Sequence, residues 1–149
     1  MLRALALICL CLPGLPALAC PAPTAPEIEA HLSALNAERA RAGRPALAHA
    51  PDLGRAAQAH ACDMARRGYF SHTSPGGQDM VARARNAGAT GYCMIGENIA
   101  QGHRDIPTVI ASWMRSAGHR RNILDGSYTH VGLGLAPGPV WVQVFAGPC

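Results

Sequence analysis

The chain has 149 residues, with thirteen arginines, no lysine and nine acids, for a formal net charge of +4 at pH 7. The arginines are scattered and not interleaved with the aromatic residues, only 5% of the chain, so composition argues against a nucleic-acid-binding surface. No apolar run reaches the length a transmembrane helix needs.

Met1 and Arg3 precede an apolar run over residues 4–12, and after a break at Pro13 to Pro16 come Ala17, Leu18 and Ala19. That order of charge, short apolar stretch and small residues is that of a signal peptide cleaved before Cys20. The expected organisation is therefore a leader over 1–19 and a single domain over 20–149, exported to the periplasm or secreted. A second localisation stays open, a lipoprotein anchored at Cys20, although Ala17 stands where such sites usually carry Leu. Loss of residues 1–19 removes Arg3, Cys9 and Cys11, leaving twelve Arg against nine acids. The remaining 130 positions suffice for one hydrophobic core.

Four cysteines remain, Cys20, Cys62, Cys93 and Cys149, and in an exported protein they read as two disulfides. Three pairings are open. The expected one joins Cys62 to Cys93 and Cys20 to Cys149, the second pinning both ends of the mature chain. Lipidation of Cys20 would then deprive Cys149 of its partner.

A Pro-rich lead runs to Ala25, and Pro26, Glu27 and Glu29 suit the first turn of a helix whose buried stripe is Ile28, Leu32 and Leu35, ended by Gly43 and Pro45. Pro51 and Asp52 open a second helix with Leu53, Ala57, Ala61 and Met64 inward and Gly68 as its C-cap. A loop through Ser71, His72 and Thr73 leads to a third helix over about 78–87, stopped by Gly88. Residues 95–100 read as a strand. Asp105 to Pro107 begins a fourth helix with Val109, Ile110, Trp113 and Ala117 on its apolar side, closed by Gly118. Strands over 131–135 and 140–145, joined by Ala136, Pro137, Gly138 and Pro139, form a hairpin. Helices first and a hairpin last predict an α/β (α+β) chain with a small, mostly antiparallel sheet between helices.

Several residues combine in order and spacing: Ser71-His72-Thr73, Gly96-Glu97-Asn98-Ile99, Trp113, Gly118-His119-Arg120, Asn122-Ile123-Leu124, Val131-Gly132-Leu133-Gly134 and Trp141-Val142-Gln143-Val144-Phe145. With them the chain resembles the CAP superfamily (SCP domain), which groups cysteine-rich secretory proteins, antigen 5 and pathogenesis-related 1 proteins, and looks like a bacterial secreted member. The resemblance covers about residues 27–147 and implies a three-layer α-β-α sandwich. It also implies a cleft of two His and two Glu. His72, Glu97 and His119 match three of these positions, and Ser116 stands where the second Glu would be, removing a charge and a potential base.

Two imidazoles are half a zinc site, since catalytic zinc normally has three protein ligands. No cofactor is required by this reading. His72 and His119 could hold zinc or another divalent metal weakly, with Glu97 as a third ligand or fixing a tautomer. Alternatively His72 and Glu97 form a polar network that locks the loop. The function expected is a non-enzymatic extracellular binding module, a monomer, taking a small apolar ligand or a protein partner; relatives have been linked to sterol and fatty-acid binding. The alternatives are a metal-assisted hydrolase or peptidase using His72, His119 and Glu97, and a lipid-anchored envelope protein. A serine-hydrolase reading of Ser71, Thr73 or Ser74 lacks Gly-x-Ser-x-Gly and a motif-placed Asp. Of the other histidines, His60 reads as a hydrogen-bonded core residue, His31, His49 and His103 as surface or loop, and His130 as near the cleft rim. Asn98 has a structural role and Trp113 packs on the sheet.

Overall fold

The computed structural model describes residues 20–149; the leader expected over 1–19 lies outside them. In chain order the elements are α1 (Ala25–Arg41), β1 (Ala48–His49), α2 (Pro51–Arg67), α3 (Met80–Asn86), β2 (Tyr92–Gln101), α4 (Ile106–Arg115), α5 (Ala117–Leu124), β3 (His130–Ala136) and β4 (Val140–Pro148). Three helix starts follow from side chains that satisfy otherwise orphaned backbone donors. Thr24 and Glu27 form a capping box on α1, and Asp79 and Asp105 accept the N–H of Ala82 and Thr108, each at 2.8 Å.

The four strands lie in the order β1-β3-β4-β2, antiparallel except for β1, which runs parallel to β3. Helices cover both faces, so the chain is a three-layer α-β-α sandwich, as expected. Central strand β4 is accordingly buried on both sides: Val140, Val142 and Val144 enter one apolar cluster with α2, and Trp141 and Phe145 enter a second with α1, α4 and α5. Helix α2 lies hard against the sheet because β3 has no side chains where they meet. A Cβ on Gly132 would strike the backbone of Leu53 and Gly54, and one on Gly134 that of Ala57 and Gln58. The inward face read for α2 is correct in full, with Leu53, Ala57, Ala61 and Met64 buried and Gly68 as C-cap in the left-handed region.

Other expectations need correction. The buried stripe of α1 is His31, Leu35 and Arg39, while Ile28 and Leu32 are half-buried. His31 is therefore a core residue, hydrogen-bonded to Gln143 Nε2 across 2.8 Å. Arg39, fully buried, donates to the carbonyls of Pro45, Ile123 and Asp125 at 2.7–2.8 Å, and so ties the end of α1 to the end of α5. Gly118 does not close the fourth helix. Ser116, with extended backbone at φ −92° and ψ 120°, breaks it, and α5 starts at Ala117, which is exposed. The two-residue β1 is too short to read from sequence; Asn36 fixes its entry by bonding both the N–H and the C=O of Leu47.

The disulfides are Cys20–Cys62 and Cys93–Cys149, not the expected pairing. Antiparallel register explains the second: Tyr92 faces Pro148 across β2 and β4, so Cys93 meets the chain's last residue. Gln58 explains the first, since it anchors the lead segment to α2 by donating to the carbonyls of Pro21 and Leu135, placing Cys20 over Cys62. Each bond ties one end of the described chain to its interior. Lipidation of Cys20 would thus orphan Cys62, and not Cys149.

Candidate functional site

Strand β2 is an edge strand, and a cavity of about 340 Å³ opens along it, lined among others by His72, Ile95, Glu97, Asn122 and Tyr128. Glu97 sits mid-strand with its side chain buried. Its partner in register is Val144, so alternation turns it to the α2 side of the sheet, while Asn98 opposite Gln143 turns to the other. Helix α3 and the preceding loop close over Glu97 and supply the groups it holds.

Both carboxylate oxygens of Glu97 are engaged. Oε1 accepts from His72 Nδ1 at 2.8 Å, and Oε2 accepts from Arg83 at 2.8 Å. His60 Nε2 stands 3.9 Å from Oε1 and donates to the Ser71 carbonyl at 2.9 Å, pinning the residue before His72. Burial pushes the His60 pKa down, and the nearby Glu97 carboxylate only partly opposes this. The expectation of a hydrogen-bonded core histidine is correct, and this histidine also braces the site. With Nδ1–H given to Glu97, the His72 ring turns its Nε2 lone pair outward, and its side chain is 53% exposed.

His119 lies on α5, half-buried, with its pKa pushed down chiefly by burial. Its carbonyl accepts from Asn98 at 3.2 Å. Ser116 forms the junction between α4 and α5, half-buried, without a side-chain capping bond. His130 starts β3 and lines a different depression, with His49, Asp52 and Tyr92. Among the described residues no group of three or more His, Cys, Asp and Glu is arranged to hold a metal ion.

Beneath the cleft a chain of amides crosses the sheet. Asn122 donates to the Glu97 carbonyl and to Asn98 Oδ1, Asn98 donates to Gln143 Oε1 at 3.1 Å, and Gln143 meets His31. This network makes Asn98 structural, as expected, and fixes α5 on the edge strand. Trp113 packs on the sheet as read, donating its indole N–H to Ile99.

A family model described as the cysteine-rich secretory protein family, CAP, matches residues 32–145. The chain belongs to the CAP family. Among CAP relatives, the Bacillus subtilis protein YkwD, uncharacterized by name, is 38% identical over 113 residues, which are 75% of this chain and 44% of YkwD. An extracellular protein of Bacillus anthracis containing an SCP domain superposes with a TM-score of 0.78 at 30% identity, over 82% of this chain and 40% of its own. An outer surface protein of Borrelia burgdorferi shares the fold, with a TM-score of 0.77 at 16% identity over 85% of this chain and 96% of its own. This chain spans less than half the length of YkwD and of the B. anthracis protein.

Arg83 is missed by sequence reading. It is one of thirteen scattered arginines, yet it is 7% exposed and carries the positive end of the Glu97 ion pair. The one signal that could have found it is Asp79, whose capping role starts α3 and places Arg83 one turn in, on the side facing β2.

Proposed function

We propose that this CAP-family chain is an exported, non-enzymatic binding module whose β2-edge cleft engages its ligand through the exposed imidazole of His72, with the half-buried His119 on α5 as a second contact. Export is supported by the two disulfides, which persist in oxidising compartments, and by extracellular and outer-surface proteins among its structural neighbours. Among the described residues no helix is long and apolar enough to cross a membrane. A lipid anchor at Cys20 competes directly with the Cys20–Cys62 bond.

The observation that carries the non-enzymatic reading is the double engagement of Glu97. A general base needs a free lone pair within reach of the attacking water. Here one oxygen is held by Arg83 and the other by His72, and the carboxylate is buried. With one acceptor site on each oxygen taken and its side chain buried, Glu97 is better placed to anchor than to act as a base, and the position that would offer a second carboxylate holds Ser116. A divalent cation fits this donor set in part: His72 Nε2 and the His119 ring would be its two protein ligands, with Glu97 fixing the His72 tautomer, and the remaining positions would fall to water or ligand. Such an ion would polarise the group bound to it. A groove of about 480 Å³ between the lead segment, α1 and α2, with Ala22, Pro23, Ile28 and Leu133 in its wall, offers a separate apolar surface and supports a small apolar ligand.

The test is calorimetric titration of the oxidised protein with Zn²⁺, beside a His72→Ala/His119→Ala variant. Weak binding that vanishes in the variant, with no turnover of peptide substrates, is the expected outcome. Peptide hydrolysis abolished in the same variant would replace the binding reading with a peptidase.

A further inference from the structure

A further cavity, of about 560 Å³, lies between α2 and α3 and has Arg83 in its wall. Its charged lining is Arg55, Arg66, Arg67 and Arg83 against one carboxylate, Asp63. Asp63 is already occupied: Oδ2 pairs with Arg67 at 3.4 Å and accepts the Tyr69 hydroxyl at 2.6 Å. Arg83 is matched by Glu97. Arg55 donates to the carbonyl of Ala87 at 2.9 Å, an uncharged partner, and Arg66 makes no ion pair or hydrogen bond among the described residues. Two cations at the exposed side of the cavity are therefore uncompensated.

The buried side holds a second observation. Arg83 spends both terminal nitrogens on Gln78, His72, Ser74 and Glu97, but its buried Nε has no partner. Such unmet buried donors are rare in folded proteins.

We propose that this cavity is an oxyanion site that takes a small hydrophilic molecule carrying a phosphate or carboxylate group, held by Arg55 and Arg66 at its exposed side. Planar guanidinium forks match both groups bidentately. The volume suits a molecule of sugar-phosphate size. The site is independent of whether the cleft binds a metal.

The experiment is calorimetry on the oxidised protein with glucose 6-phosphate, glucuronate and inorganic phosphate as probes, and co-sedimentation with phosphatidylglycerol/phosphatidylcholine vesicles against phosphatidylcholine alone. An Arg55→Ala/Arg66→Ala variant is compared with an Arg104→Ala/Arg121→Ala variant, which loses the same charge elsewhere, and melting curves confirm that both fold. The expected result is saturable binding that weakens about tenfold or more in the first variant and stays nearly unchanged in the second. Binding to the soluble probes identifies a free ligand, and binding confined to anionic vesicles but lost in the first variant identifies a lipid headgroup. Equal loss in both variants would mean an adventitious response to net charge and overturn the proposal, as would the absence of saturation for every probe.

Discussion

The two faces of the sheet are built on different physics. Toward α2, contact is apolar and close, with alanines and Leu53 of the helix set against valines of β4 and the two bare glycines of β3. Toward α1, α4 and α5, two tryptophans and Phe145 share the interior with buried polar groups: Arg39, His31, Gln143 and Asn98 are each fully or almost fully buried. The first face is held by shape except at its β2 edge, where Glu97, Arg83 and His60 are buried together, and the second by hydrogen bonds that cross between elements. Shape of that kind tolerates no added atom, whereas a polar interior is sensitive to charge and therefore to pH. The cleft lies where the two meet, at edge strand β2, with Glu97 facing one side and Asn98 the other.

The largest effect should come from the close face. Gly134→Val places side-chain atoms inside the α2 backbone and is expected to cost more than about 3 kcal/mol, read as loss of the cooperative thermal transition; a folded, near-normal variant would show that α2 is not held by close approach. Next, Glu97→Gln leaves Arg83 a buried cation without its counter-charge, and denaturant titration should show a loss of about 3–5 kcal/mol. The polar face is separated from the close one by pH. Burial lowers the His31 pKa to about 4, below the 6.5 of the unfolded chain, so the unfolded state binds the extra proton between these values. Stability contributed by neutral His31 is complete above about pH 6.5 and is lost as pH falls toward 4, by about 3 kcal/mol. Chemical denaturation at stepped pH should show that slope, and His31→Gln should flatten it, leaving the smaller contributions of His60 and His119, which act in the same direction. Smallest is His72→Ala. Its ring is more than half exposed, so stability should fall by less than about 1 kcal/mol in denaturant titration, while Zn²⁺ binding at the cleft is lost. A large stability loss there would make His72 a structural clamp and nothing more.

The same contrast explains which parts are legible in advance. Helix α2, the β3–β4 hairpin and the fold class can be read because apolar periodicity and turn residues report burial against an apolar layer. Helix α1 misleads because its buried stripe is His31, Leu35 and Arg39, two of them polar, and periodicity searches look for hydrophobes. The break at Ser116 and the existence of α5 are invisible for a related reason: α5 is held by Ile123 and by the amide bonds of Asn122, not by an apolar stripe.

At the cleft, motif order names His72 and Glu97, and the fold brings them within 2.8 Å of each other. What the motif could not show is Arg83, which holds the other Glu97 oxygen. The sequence by itself determined the family, the layered architecture, the four cysteines that form the two disulfides and the candidates His72 and Glu97, because each of these is written in local order and spacing. Tertiary structure alone decided which cysteines pair, which histidines are buried and which arginine holds Glu97, because each depends on residues far apart in the chain meeting across the sheet, and one-dimensional spacing carries no record of that distance.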